Sequence, residues 1–146
     1  MRIANNVVIA VDILIENKGK IVLIKRKYHP HVGKLALPGG MVEREESVED
    51  AAVREAREET SLNVKLKEIL GVYSSNKLDP RGYAITTVFL ADIVGGKLRA
   101  SDDAQDIGWF DIKKINLKKL GFKHHVKILK DYMKWKKRKG TYWLKR

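Results

Sequence analysis

The sequence predicts an α+β fold in which strands surround one long helix and a second helix lies near the end of the chain. Runs of β-branched residues lie on both sides of a single stretch of good helix formers, and a second amphipathic stretch follows the last of these runs. The 146 residues suit one domain with a sizeable core, so we treat 1–146 as that domain.

The first third of the chain indicates a hairpin followed by a short strand. Residues 6–16 are rich in β-branched residues and predict a buried strand. A turn at 17–20 leads to a returning strand at 21–27, and 35–37 predicts a short strand.

A loop and a helix follow. A Gly-Gly pair after Pro38 predicts a loop over 38–46. Ser47 is a suitable N-cap with acidic residues in the first turn, and no Gly or Pro interrupts the stretch to Thr60.

The second half of the chain predicts three more strands and a terminal helix. In order, we expect a strand at 64–75, a turn at 76–82, a strong central strand at 83–93, a polar loop at 101–106 and a short strand at 107–112. Apolar residues at helical spacing then predict an amphipathic helix, namely Val126, Ile128, Leu129, Tyr132, Met133 and Trp135.

The first helix carries three carboxylates on one face, because Glu55, Glu58 and Glu59 are three or four residues apart. Like charges at this spacing destabilise a helix unless positive charge lies between them. Arg54 and Arg57 supply some of it, and a metal bound by oxygen ligands, Mg²⁺ or Mn²⁺, would supply more. The alternative is a solvated acidic face.

The spacing around these glutamates resembles the Nudix box, the signature of hydrolases acting on a nucleoside diphosphate linked to another group. Gly40 is followed after five residues by Glu46, and after seven more by the run 54–62, REAREETSL. Two positions depart from the pattern. Ala56 replaces a larger aliphatic residue, and Ser61 replaces a glycine that would supply a left-handed C-cap.

The resemblance implies an α/β/α sandwich with a mixed central sheet and a metal-dependent pyrophosphohydrolase activity. It implies Mg²⁺ or Mn²⁺ as the cofactor. The metal ligands would be the carbonyl of Gly40 and the carboxylates of Glu55, Glu58 and Glu59. It makes Arg54 an orienting partner of those carboxylates, and Glu46 either a ligand of a second metal or a support for the loop.

Two roles stay open between alternatives. The general base is either Glu58 or an aspartate of the downstream loop, Asp103. Arg26 and Arg81 are candidate substrate-binding residues, although Arg26 fits a solvated edge charge equally well. His29 and His31 read as ordinary loop residues, because no third soft ligand accompanies them.

Within the family, the segment around Pro80 is similar to the ADP-ribose pyrophosphatase branch, which implies AMP and ribose 5-phosphate as products. Tyr83 departs from this branch, where a histidine is expected. Alternative substrates are nucleoside triphosphates or dinucleoside polyphosphates. Tyr28 and Tyr73 could stack on adenine, but core packing is the favoured role for both.

Charge is distributed unevenly. Residues 1–111 carry a net charge of −1, and residues 112–146 carry +13. The basic C-terminal helix and tail, about 113–146, therefore suggest either weak nucleic-acid contact or a helix that docks by its apolar face. A nucleic-acid-binding module with a vestigial Nudix box is the alternative to an enzyme.

Composition sets the remaining expectations. The chain has no cysteine, which excludes disulfides and thiolate zinc sites, and Asp12 interrupts its first apolar run. We therefore expect a cytoplasmic protein that binds a small nucleotide and does not engage a membrane. The ADP-ribose branch also implies a homodimer.

Overall fold

The computed structural model describes residues 6–99 and 104–146. The strands are β1 (Val7–Asn17), β2 (Lys20–Arg26), β3 (Leu35–Ala36), β4 (Gly39–Met41), β5 (Leu62–Asp79), β6 (Gly82–Gly96), β7 (Ala104–Asp111) and β8 (Tyr142–Trp143). The helices are α1 (Val48–Thr60) and α2 (Lys123–Lys137), with a 3₁₀ turn at Leu117–Lys119 between β7 and α2.

The strands form a mixed sheet in the order β3-β2-β1-β6-β5-β8. β1 runs parallel to β6 and antiparallel to β2, and β5 runs antiparallel to β6. Away from this path, β4 pairs with β1 and β7 pairs with β2. The mixed sheet implied by the family resemblance is confirmed.

The two helices cover opposite faces of the sheet, because alternate residues of β1 point to opposite sides. Val11, Ile13 and Ile15 pack in the same cluster as the alanines of α1. Leu14 packs in the cluster that contains Ile128 of α2. The chain is therefore the predicted α/β/α sandwich.

The ends of α1 follow the local sequence. Ser47 accepts a hydrogen bond from the backbone N–H of Asp50 at the N-terminus. Ser61 adopts the left-handed conformation at the C-terminus, with φ of 62°, and its N–H bonds to the carbonyl of Arg57. The serine thus takes the conformation that glycine usually provides.

The predicted loop over 38–46 is wrong at its start, because Gly39–Met41 forms strand β4 against β1. The glycines allow this pairing by close approach. A Cβ on Gly39 would lie 2.2 Å from the carbonyl oxygen of Val11, and one on Gly40 would lie 2.3 Å from a carboxylate oxygen of Glu55.

Two other boundaries differ from the sequence prediction, and one strand was not predicted. β5 runs through the predicted turn to Asp79, so the reversal occupies only Pro80 and Arg81. β7 begins at Ala104, inside the segment predicted as a polar loop. The strand Tyr142–Trp143, which pairs with β5, was not predicted.

The amphipathic α2 is confirmed, and it docks by its apolar face. Ile128, Leu129, Tyr132 and Trp135 are all buried against the sheet. Burial of these side chains anchors the basic end of the chain to the domain. No helix among the described residues is long and apolar enough to cross a membrane.

Candidate active site

The candidate site lies where β4 passes the acidic face of α1. Glu59 accepts a hydrogen bond from the backbone N–H of Gly39 at 3.0 Å. Glu55 lies directly against Gly40. The two carboxylates, one helical turn apart, therefore face the same short stretch of backbone.

Arg54 organises the carboxylates around this stretch. Its guanidinium binds both oxygens of Glu46 at 3.0 and 2.6 Å. It also donates to Glu55 at 2.8 Å, to Glu58 at 3.1 Å and to the carbonyl oxygen of Met41 at 3.1 Å. The planar fork of an arginine can serve several acceptors in fixed directions, so Arg54 ties α1 to β4 and to the loop between them.

The electrostatics of these carboxylates differ. Burial raises the pKa of Glu59 to about 8, and burial also raises the pKa of Glu55. Arg54 holds the pKa of Glu46 at about 2 through its hydrogen bonds. Glu55 and Glu59 are thus desolvated carboxylates that a nearby cation would stabilise in their charged form.

The other two candidate catalytic residues lie differently. The side chain of Glu58 is 59% exposed and is held by Arg54 at the solvent-facing side of the helix. Asp103 lies outside the described residues.

Beside β4, a cavity of about 60 Å³ contains both predicted substrate-binding arginines. Arg81 is held by Asp79 through two hydrogen bonds, at 2.9 and 2.6 Å. Arg26 donates to the carbonyl oxygen of Pro30 at 2.5 Å and lies over the ring of Phe122, 5.0 Å from its centroid. Gly39 and Gly40 also line the cavity, which brings the arginines to the same cleft as the glutamates.

Sequence reasoning missed a buried cluster on the inner wall of this cavity, formed by Asp12, His124 and His125. Among the described residues, these form the one group of three potential ligands whose atoms all lie within 4.8 Å of one another. Two signals could have found it: a charged residue inside a buried strand, and a histidine pair at the start of α2.

The remaining sequence predictions concern histidines and tyrosines. His29 and His31 lie outside the three-ligand cluster found among the described residues. Tyr73 is buried, with its hydroxyl donating to Asp131 at 2.7 Å, which confirms a core role. The prediction of core packing is wrong for Tyr28, because this side chain is 56% exposed beside Lys27.

The geometry agrees with a family comparison. The family model for the NUDIX domain matches residues 6–132, which include β4, α1 and most of α2. The chain belongs to the Nudix family. It is therefore a Nudix hydrolase, and the matched residues include the acidic face of α1.

Individual Nudix proteins extend the comparison. An ADP-ribose pyrophosphatase from Methanocaldococcus jannaschii is 56% identical over 128 residues, which span 88% of this chain and 74% of the relative. A Nudix hydrolase from Nitrosomonas europaea superimposes with a TM-score of 0.83 at 25% identity, covering 96% of this chain and 77% of the other.

A third protein is larger. A bifunctional NMN adenylyltransferase/ADP-ribose pyrophosphatase from Francisella tularensis, complexed with AMP and manganese, superimposes with a TM-score of 0.77 at 26% identity. The match covers 96% of this chain and 44% of that protein.

The residues of this chain suit a divalent cation. Glu55 and Glu59 offer carboxylate oxygens and Gly40 lies against Glu55, so these carboxylates and the Gly40 backbone carbonyl would supply only oxygen donors. Oxygen donors favour hard cations such as Mg²⁺ or Mn²⁺. The raised pKa values of both glutamates give the same indication, since burial removes the water that would otherwise stabilise each charged carboxylate.

Proposed function

We propose that this Nudix hydrolase cleaves the diphosphate of ADP-ribose, giving AMP and ribose 5-phosphate, with Mg²⁺ or Mn²⁺ as the cofactor. The observation that carries the proposal is the 56% identity to the ADP-ribose pyrophosphatase from Methanocaldococcus jannaschii over most of both chains. The cleft supports it, because desolvated carboxylates stand beside two arginines that can hold phosphate oxygens.

Different residues have different roles in this reaction. Glu55, Glu59 and the carbonyl of Gly40 hold the cation, which when bound neutralises charge on the diphosphate and activates water. Arg26 and Arg81, which line the cavity beside β4, orient the diphosphate. Water attacks one phosphorus atom, the bond from that phosphorus to the bridging oxygen breaks, and the bridging oxygen leaves on the other product.

The general base in this proposal is a carboxylate, either Glu58 or Asp103. Glu58 is a suitable candidate because it is exposed on the helix that carries the metal ligands, and Asp103 is the alternative. Glu46 supports the loop by fixing Arg54, since both of its oxygens are engaged by that guanidinium. A second metal at Glu46 would have to displace these bonds.

A substrate panel tests this function. The purified chain is incubated with ADP-ribose, nucleoside triphosphates and dinucleoside polyphosphates, each with Mg²⁺ or Mn²⁺, and the products are separated by chromatography. We expect ADP-ribose to have the highest kcat/KM and to yield AMP and ribose 5-phosphate in equal amounts. A clear preference for triphosphates would contradict the proposal.

We also propose a weak contact between nucleic acid and a lysine stripe, defined as Lys123, Lys130, Lys134 and Lys137. All four are exposed on α2 at spacings of seven, four and three residues, which places them along one side of the helix. The stripe is about 21 Å long at the usual helical rise, so it can follow several phosphates of one strand.

Replacing these four lysines with glutamine tests the contact. Salt-dependent retention on single-stranded RNA or DNA should weaken. The logarithm of the binding constant should also fall less steeply with the logarithm of salt concentration. Glutamine at the exposed Lys20, Lys65 and Lys97, together with Lys113, is the matched control. Equal retention of both variants would contradict a role for the stripe.

A homodimer is the last proposal, and an exposed apolar strip on the sheet supports it. Val7 and Ile9 of β1 are 40% and 51% exposed, and Val7 lies opposite Tyr83 in the parallel pair with β6. Val72 and Trp143 are paired and also exposed. Light scattering should give twice the chain mass for the wild type and a reduced mass for Ile9→Lys; a monomeric wild type would exclude the dimer.

A further inference from the structure

His124 is a buried side chain with an unsatisfied polar atom. It sits in the first turn of α2, with a side chain 7% exposed, and it lines the same cavity as Arg26 and Arg81. Its Nδ1 is the one buried side-chain nitrogen or oxygen in the described part of the chain that has no hydrogen-bond partner. Leaving such an atom unpaired is costly, so a hydrogen-bond donor that reaches it would be favoured.

The surroundings of the ring define what Nδ1 can accept or donate. The other ring nitrogen, Nε2, lies 3.6 Å from the Oδ2 of Asp12. The Asp12 carboxylate also accepts from Thr86 at 2.9 Å and contacts His125 Nε2 at 3.1 Å. Because a carboxylate attracts a proton-bearing nitrogen, the ring proton belongs on Nε2, and Nδ1 keeps a lone pair that can accept a hydrogen bond.

A metal at the Asp12–His124–His125 cluster fits this arrangement poorly. The Nδ1 of His125 accepts the backbone N–H of Leu37 at 3.2 Å, so its proton lies on Nε2, which donates to Asp12. A histidine with a proton on Nε2 cannot ligate a metal through that atom. Two ligands then remain, fewer than the three or four protein ligands of a zinc site.

We propose that Nδ1 of His124 accepts a hydrogen bond from a sugar hydroxyl of the substrate whose diphosphate Arg26 and Arg81 hold. A hydroxyl can donate to Nδ1, whereas an ionised phosphate oxygen can only accept. The site therefore selects a diphosphate with a neutral, hydroxyl-bearing group in this cavity. This inference rests on the proposed hydrolysis of ADP-ribose and assigns a specificity-determining residue to it.

The cavity has the composition that such recognition requires. Phe122 packs against His124 with ring centroids 5.4 Å apart, which fixes the orientation of the imidazole from one side. The two arginines lie on the cavity wall, so a ligand that reaches His124 also meets their guanidinium groups. The imidazole of His124 thus suits a sugar hydroxyl, and the two arginines suit a phosphate beside that sugar.

Two substitutions separate this role from simple packing. His124→Asn keeps an acceptor near the position of Nδ1, whereas His124→Leu has a similar size and no acceptor. With ADP-ribose, we expect KM to rise about 10- to 100-fold in the leucine variant, with kcat changed little. We expect the asparagine variant to recover most of that loss. The thermal unfolding temperatures of both variants measure how far either substitution destabilises the fold.

Measurements on the wild type keep the test independent of mutant folding. Calorimetric binding of AMP and of ribose 5-phosphate is compared with that of analogues in which the 2- or 3-hydroxyl is replaced by hydrogen. One of these hydroxyls should account for about a 10-fold loss of affinity, and the product that carries it identifies which ribose reaches His124. The same hydroxyl should have no effect in His124→Leu.

The outcomes distinguish the two claims. A wild type that does not hydrolyse ADP-ribose would overturn the proposed function itself. If the wild type hydrolyses ADP-ribose but both variants bind and turn over alike, the hydrogen bond is not made. Equal affinity of every hydroxyl analogue for the wild type would overturn the inference in the same way.

Discussion

Arg54 is the residue on which the geometry of the acidic site depends most. It contacts Glu46, Glu55 and Glu58 and a carbonyl of β4, and these contacts keep like charges on neighbouring turns of one helix. Its own pKa is raised, chiefly by the hydrogen bonds to Glu46. We therefore assign Arg54 a positioning role, in which it sets the direction of the carboxylates.

Arg54→Lys tests that role. A lysine keeps the charge but cannot hold three carboxylates in fixed directions, so we expect kcat/KM for ADP-ribose to fall at least about 10-fold. Raising the Mg²⁺ concentration should restore part of the activity. Arg57→Lys, an exposed arginine on the same helix, is the control and should behave as the wild type. Equal activity of the two variants would contradict the assignment.

His125 leads to a second prediction for a single residue, which concerns how the stability of the fold depends on pH. Burial lowers its pKa below 6.5, and protonation of Nδ1 would break the bond from Leu37. The unfolded chain then binds more protons than the native chain as pH falls below about 6.5. Stability should therefore decrease with acidification in that range.

Denaturant unfolding at pH 7.5 and pH 5.5 measures this effect. The wild type should lose free energy of unfolding between the two values, and His125→Gln should lose less, because glutamine does not titrate. His29→Gln, at an exposed loop position, should lose as much as the wild type. The same pH dependence in His125→Gln and in the wild type would exclude His125 as the source.

At the scale of elements, β4 and α1 form the site together. Gly40 makes this possible, because the carboxylate of Glu55 occupies the space where a Cβ would lie. Gly40→Ala should displace Glu55 and reduce metal-dependent turnover by at least about 10-fold, since small misplacements of catalytic groups are costly. The control is Gly95→Ala, whose nearest neighbour lies at an ordinary 3.4 Å. Unchanged turnover in Gly40→Ala would show that the close contact is not needed.

The C-terminus of α1 allows a stability prediction. Ser61 has a φ of 62°, which disfavours a residue with a Cβ. Ser61→Gly should raise the free energy of unfolding by about 1 kcal/mol. Ser47→Ala at the N-cap should lower it by a similar amount. Chemical denaturation of both variants measures these changes, and a destabilised Ser61→Gly would contradict the cap assignment.

The sequence predicted the elements whose signals are local. Such local signals are the run of helix formers in α1, the apolar periodicity of α2, the caps at Ser47 and Ser61, and the pairing of β1 with β2. The strand at Gly39–Met41 could not be predicted, because its pairing depends on β1 passing nearby. Glycines there indicated a turn, but they serve close packing.

In the candidate site, too, the residues close together in sequence were predictable and the contacts between distant residues were not. The Nudix spacing located Glu55 and Glu59 on one helix face and Gly40 beside them. The cluster of Asp12, His124 and His125 joins residues more than 100 positions apart, so no sequence window contains it. The contact between Arg26 and Phe122 was inaccessible for the same reason.

At the scale of the whole molecule, α2 connects the basic end of the chain to the cleft. His125 at the start of α2 binds both Asp12 of β1 and the backbone of Leu37, just before β4. Further along the helix, Lys136 pairs with Glu16 of β1 at 2.5 Å. The helix is therefore part of the catalytic domain, although it carries six lysines and only one aspartate.

The central claim is that Glu55 and Glu59 hold a divalent cation against the diphosphate. The most direct test is a crystal grown with Mn²⁺ and a non-hydrolysable ADP-ribose analogue, with the ion located by anomalous scattering. We predict manganese at about 2.0–2.3 Å from oxygens of both glutamates and in contact with the diphosphate. An ion bound elsewhere, with Glu55 and Glu59 contacting only Arg54 and Gly39, would contradict the account.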